Sequence, residues 1–208
     1  MTKLTGQQIA AEGLDGWVLL LDNLRTRIAT NDFAEGLAIV NAIAVLAEEM
    51  DHHPDVDLRY THVDIRLSSH DVGEVTGRDI RLARRISELG YPLDGSAMSQ
   101  IDLALDTPDR EKIQPFWAAV LAMTPSGVDV TDPYGALPDV WFQGSGSSEP
   151  RQRWHPDVWV DPAQVQPRID AAVAAGGMLV SDEEAPSFWV LADPEGNKVC
   201  LCTWQDRD

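Results

Sequence analysis

Between Glu48 and Ile86 the chain changes its hydrophobic period twice, and this constrains the fold more than any other feature. Just upstream, Phe33 to Met50 carries apolar residues at Phe33, Leu37, Val40, Ile43, Ala44 and Ala47. That spacing predicts an amphipathic helix with one face on a core. Asn31 or Asp32 can cap its start. Pro54 pushes His53 out of the helical region, so the helix must stop near Asp51. Beyond Pro54 the period falls to two. Val63, Ile65 and Leu67 alternate with His62, Asp64, Arg66 and Ser68, which predicts a strand with one apolar face. Thr76 then opens a second helix, with Asp79 three residues on in a capping-box arrangement. Ile80, Ala83 and Ile86 supply its stripe, with Leu82 and Leu89 beside it.

The same stretch holds His52, His53, His62 and His70, four of the chain's five histidines. Histidine both gives and takes protons near neutral pH. His52 and His53 fall on the constrained turn after the first helix, and His70 and Asp71 at the end of the strand. Three histidines thus come from two loops bordering one sheet, placed to share a pocket and move protons. His62 alternates with the apolar strand face and is read as solvated.

These residues carry a resemblance. Glu48, His52, His53 and Pro54, then Tyr60 and the alternating strand, then Ser69, His70, Asp71, Gly73 and Thr76, then Asp79, Leu82 and Ala83 resemble the signature of the pterin-4a-carbinolamine dehydratase family. Leu4, Thr5, Gly16, Trp17 and Phe33 also fit, so the resemblance covers roughly the first ninety residues. It implies an α+β fold, an antiparallel sheet with helices on one face. It also implies elimination of water from a 4a-hydroxytetrahydropterin to give the quinonoid dihydropterin, with no cofactor. The residues suit that chemistry, because a general base and a general acid must work near ambient pH. His52 and His70 are read as the acid/base pair and His53 as orienting the pterin. Pro54 shapes the floor, Asp79 binds or orients the ring, and Glu48, one turn above, can hold an imidazole tautomer. Asp71 joins the substrate-binding set or caps a turn.

Composition bounds the partners. The net charge is −18 over 208 residues, which disfavours nucleic acid and anionic membranes. No apolar stretch is long enough to span a membrane. The first residues lack the charged start and apolar core of a secretion signal. Cys200 and Cys202, two apart in a strand, are expected on opposite faces and hence unbridged. A reduced, cytoplasmic protein is expected. The basic run Arg78, Arg81, Arg84 and Arg85 reads as a solvated helix face.

The loop-like YPLDGSAMS at Tyr91 to Ser99 separates an expected domain at 1–92 from a second at 99–208. After it, Gln100 to Thr107 reads as a strand, Arg110 to Met123 as a helix, and Gly127 to Thr131 and Val140 to Gln143 as strands. The segment Gly144 to Pro150 is expected as a flexible connector. The order then repeats: strand His155 to Asp161, helix Pro162 to Ala175, strand Met178 to Ser181, and a hairpin pairing Phe188 to Ala192 with Lys198 to Trp204 across DPEGN. The hairpin and the HPDVWVD strand resemble the glyoxalase-like, vicinal-oxygen-chelate superfamily, over about Ser99 to Trp204. This implies paired βαβββ modules forming a cup, with metal-ligand positions at Gln100, about Trp141, His155 and Cys200. Trp141 has no lone pair to offer, so no metal is expected and the cup is read as a small-molecule-binding or structural domain.

The leading expectation is therefore a pterin dehydratase, acting as a homo-oligomer, with an appended glyoxalase-like domain. The alternatives are a non-catalytic protein-binding or dimerisation module, and a lyase or dioxygenase working through the cup. The joint presence of His52, His53 and His70 favours the enzyme, because binding alone does not need them.

Overall fold

The computed structural model of the chain describes residues 2–121, 123–146, 154–192 and 198–207. The chain divides into two compact units. One comprises Met1–Ser99 with Val160–Gln164 and Thr203–Asp208; the other comprises Gln100–Trp159 and Val165–Cys202.

The first unit begins with α1 (Gly6–Ala11), opened by a capping box between Thr5 and Gln8. Strands β1 (Val18–Leu20) and β2 (Asn23–Ala29) follow, then helix α2 (Phe33–Met50), strands β3 (Asp55–Leu58) and β4 (His62–Leu67), and helix α3 (Gly77–Ser87). The strands form one antiparallel sheet in the order β1-β2-β4-β3. Leu24, Ile28, Val63, Ile65 and Leu67 cover one sheet face, and Ile39, Ile43, Leu82 and Ile86 of the two helices bury against it. Thr26 stands in the same apolar row, fully buried, and is accommodated because its hydroxyl donates to the Gly16 carbonyl at 2.7 Å.

Helix α2 has the expected span but turns a different face inward. Ile39, Ile43, Leu46 and Ala47 are buried, whereas Phe33 and Leu37 are exposed. Gly36 sets the choice. A Cβ there would lie 2.6 Å from Leu58 Cδ1, so the helix comes close to the sheet on the glycine's side.

The second unit contains β5 (Ser99–Thr107), α4 (Arg110–Leu121), β6 (Thr124–Ser126), β7 (Asp129–Thr131) and β8 (Val140–Gly144). The same order follows again as β9 (Trp154–Val160), α5 (Pro162–Ala174), β10 (Met178–Ser181), β11 (Phe188–Ala192) and β12 (Lys198–Cys202). All eight strands form one sheet, β10-β11-β12-β9-β5-β8-β7-β6. In each module the first strand pairs parallel with the last, β5 with β8 and β9 with β12, and the remaining strands add antiparallel. The repeat read from sequence is therefore a repeat of topology. Part of the expected connector, 147–150, and the hairpin turn, 193–197, lie outside the described residues.

Cys200 and Cys202 are both buried and are not joined by a disulfide. The expectation of opposite faces was wrong, because residues two apart in a strand share a face. Distance keeps them apart instead. Two strand rises separate the β-carbons by roughly 6.6 Å, beyond the ~4 Å that a disulfide needs.

Candidate active site

The turn that carries the paired histidines is built by the end of α2. Asp51 takes a left-handed conformation, φ 48°, one of the few non-glycine residues that tolerate it. The His52 amide then reaches back to the Ala47 carbonyl at 3.1 Å, closing the helix with a Schellman-type bond. This folds the His52 ring inward, and Pro54 carries the chain out into β3.

His52 meets Asp79. Its Nε2 lies 2.7 Å from Asp79 Oδ1, with the His side chain 8% exposed and the Asp side chain fully buried. Asp79 sits at the third position of α3 because it closes the capping box, accepting the Thr76 amide at 2.7 Å through Oδ2. The Ser69 hydroxyl donates to the same oxygen at 2.7 Å and also contacts the Thr76 hydroxyl at 2.7 Å. A carboxylate only accepts, so the shared proton belongs on His52 Nε2 and Nδ1 is left as the nitrogen open to exchange. One residue thus ties together the helix start, the loop after β4 and the histidine turn.

The other two histidines face solvent. His53 is half exposed and its Nε2 lies 3.1 Å from Glu48 Oε1. His70 is exposed, with Nε2 3.8 Å from Asp55 Oδ2. Asp55 begins β3, two residues after His53, so this contact brings the His70 loop to the histidine turn. The loop itself closes through backbone bonds from the Val72 and Gly73 amides to the Ser69 carbonyl, with Gly73 at φ 77°. Asp71, expected near substrate, pairs with Arg78, whose hydrogen bond holds its carboxyl below the usual range. His62 is partly buried, 3.9 Å from Asp64, rather than freely solvated.

Two residues that sequence reasoning passed over enter here. Arg66 donates to Asp55 through Nε at 2.9 Å and Nη2 at 2.7 Å, fixing the carboxylate that faces His70. Arg25 stands opposite Arg66 across β2 and β4. Its Nε is buried without a hydrogen-bond partner among the described residues. Burial, and next the Arg66 guanidinium, pull Arg25 down to about 10. The alternation of charges along β2, β3 and β4 was the available signal for this row.

In the second unit, His155 and Asp157 project from one face of β9, and Asp157 is in register with Cys200 on β12. Donor atoms of the three lie within 4.8 Å of one another. Trp141 does not ligate there; its indole N–H donates to Asp157 Oδ2 at 3.1 Å. Asp157 was absent from the positions mapped by resemblance, although the H-x-D spacing on a strand marks it.

Two family models match separate stretches of the chain. Residues 2–89 match the family model described as pterin 4 alpha carbinolamine dehydratase, and residues 102–202 match that of a glyoxalase-like domain. A protein of Thermomicrobium roseum, provisionally named a pterin-4-alpha-carbinolamine dehydratase, is 41% identical over 91 residues, covering 43% of this chain and 98% of the relative. A solved structure described as a transcriptional coactivator/pterin dehydratase from Brucella melitensis is 28% identical, with TM-score 0.40, covering 42% of this chain and 98% of that one. A glyoxalase/bleomycin resistance protein/dioxygenase superfamily member from Vibrio splendidus is 15% identical, with TM-score 0.37, covering 51% and 99%.

Proposed function

We propose a dehydratase function from one premise: the chain belongs, through residues 2–89, to the pterin 4 alpha carbinolamine dehydratase family, and it carries a glyoxalase-like domain over residues 102–202. The reaction is loss of water from a 4a-hydroxytetrahydropterin to give the quinonoid dihydropterin. A base takes the proton from N5 while an acid protonates the departing 4a-hydroxyl, which leaves as water. The balance needs no oxidant or reductant.

The observation that carries this reading is the His52–Asp79 pair, 2.7 Å apart and buried. A buried carboxylate behind an imidazole fixes the ring's tautomer and stabilises the imidazolium formed when the other nitrogen takes a proton. His52 is accordingly assigned the base, through Nδ1. His70, exposed on its closed loop, is assigned the acid. His53, held by Glu48, orients the pterin, and Pro54 shapes the floor beneath it. Asp79 acts through His52 rather than on the ring. Asp71 serves the site by fixing the loop through Arg78.

The unit is further read as a homo-oligomer. Strands β1 and β3 are sheet edges, and Phe33, Leu37 and Val45 expose apolar surface on α2. Buried thiols that form no disulfide with each other fit a reducing compartment such as the cytoplasm. Among the described residues no helix is long and apolar enough to cross a membrane.

The test is ultraviolet detection of carbinolamine loss with the full chain. Acceleration over the spontaneous reaction, reduced in His52→Ala and His70→Ala but not in His62→Ala, is expected. Equal losses in all three would mean damage to folding and would sink the assignment.

A further inference from the structure

We propose that the second unit binds a zinc-class transition metal through His155, Asp157 and Cys200. The strand period of two sets His155 and Asp157 on one face of β9. The parallel register places Cys200 beside Asp157 on β12, so its sulfur joins the same face. The three donor atoms already lie within 4.8 Å of one another, and His155 Nε2 is 3.4 Å from Asp157 Oδ1. Tetrahedral zinc, with metal–nitrogen and metal–oxygen bonds near 2.0–2.2 Å and metal–sulfur near 2.3 Å, asks for donors roughly 3.3–3.6 Å apart. Side-chain torsions close that difference without moving the strands.

The chemistry of the set points the same way. Asp157 and Cys200 are each 8% exposed, so both donors sit out of bulk water, where a bound cation is held more strongly. Trp141 holds Asp157 Oδ2 at 3.1 Å, the outer hydrogen bond that ligating carboxylates receive, and leaves Oδ1 on the His155 side. A thiolate beside an imidazole selects zinc or cobalt over magnesium, calcium or manganese. Three protein donors leave the fourth position open to water or a small ligand.

This centre departs from the four-position pattern that the superfamily resemblance implies. It keeps His155 and Cys200, draws nothing from the first module, and takes its third donor from Asp157, outside the pattern. Trp141, which cannot ligate, becomes a positioning residue. The site lies wholly in the second unit and is independent of the dehydratase reading.

The experiment titrates the metal-free full chain with Zn²⁺ and with Co²⁺. One equivalent should bind, and the cobalt form should show a thiolate-to-cobalt charge-transfer band in the near ultraviolet. Cys200→Ser should abolish that band, while Cys202→Ser, which alters the neighbouring thiol, should keep it. Trp141→Phe should weaken binding by roughly 10–100-fold, the usual cost of an outer-shell partner. Wild-type protein that binds no stoichiometric zinc overturns the proposal. So does a cobalt band that survives Cys200→Ser or disappears with Cys202→Ser.

Discussion

Replacing Asp79 separates its two duties. Its Oδ2 accepts the Thr76 amide and the Ser69 hydroxyl, and its Oδ1 accepts His52 Nε2. In Asp79→Ala one of the Ser69 and Thr76 hydroxyls, 2.7 Å apart, can still donate to the other, so at least two buried donors are stranded, the Thr76 amide and His52 Nε2–H. At ~1–3 kcal/mol per stranded group, the loss is about 4 kcal/mol. That is a large part of the ~5–15 kcal/mol that holds a domain together. Asp79→Asn behaves differently. Its carbonyl oxygen can still cap α3, but its amide then faces His52 and makes Nε2 the acceptor. The ring proton moves to Nδ1, the nitrogen assigned as base. Stability should fall by only about 1–2 kcal/mol, while kcat should fall by roughly 10²–10⁴-fold. Denaturant-dependent hydrogen exchange of α3 amides reads the first quantity and carbinolamine dehydration the second. A folded Asp79→Asn protein with full turnover would refute the tautomer argument. An Asp79→Ala variant that loses under about 1 kcal/mol would refute the structural one.

Other outcomes follow from single contacts. Gly16→Ala should destabilise by roughly 2–4 kcal/mol, because φ is 77° and the new Cβ would lie 2.5 Å from Leu93 Cβ and 2.7 Å from its carbonyl oxygen; Gly13→Ala, at φ 61° in open space, should cost only ~1–2 kcal/mol by urea unfolding. The amides of Tyr134, Leu137 and Ala136 hold Asp132 below the usual carboxylate range. Its contribution is therefore present above the ordinary value and lost as pH falls through the lowered one, so acid titration of Asp132→Ala should show a shallower stability decline than wild type. Arg25 runs the other way. As a base held down to about 10, it penalises the fold while charged and is relieved as pH rises through that value, so Arg25→Gln should raise the urea midpoint at neutral pH. EDTA should leave dehydratase turnover unchanged, since the histidine route uses no metal; loss of turnover on chelation would reject that route.

How much of this was legible in the sequence depends on which forces decide each feature. Helix α2 was read over its full span because its start and stop are local, set by Asp32, Asp51 and Pro54. Its buried face was not, because a helical stripe shows only a period, and Gly36 chooses which side meets the sheet. Strand β2 was passed over, since Thr26 interrupts its apolar row and only a tertiary bond to Gly16 makes that position buried. In the site, His52 and Asp79 were both named, but their pairing rests on the left-handed Asp51, which turns His52 inward. Asp157 escaped because mapping by superfamily position looks at one place per strand, whereas the face of β9 offers both His155 and Asp157. The topology of the second unit was clear because each module repeats the same order of elements.

In the proposed reaction, the histidine turn and the His70 loop dehydrate a carbinolamine. The most direct measurement is the rate of 4a-hydroxytetrahydropterin dehydration with the full chain, beside His52→Ala and His70→Ala proteins shown to be folded. The wild type should catalyse the reaction, with losses of roughly 10²–10⁴-fold in each variant. A folded wild-type protein that leaves the spontaneous rate unchanged would contradict it, and would make the first unit a binding module.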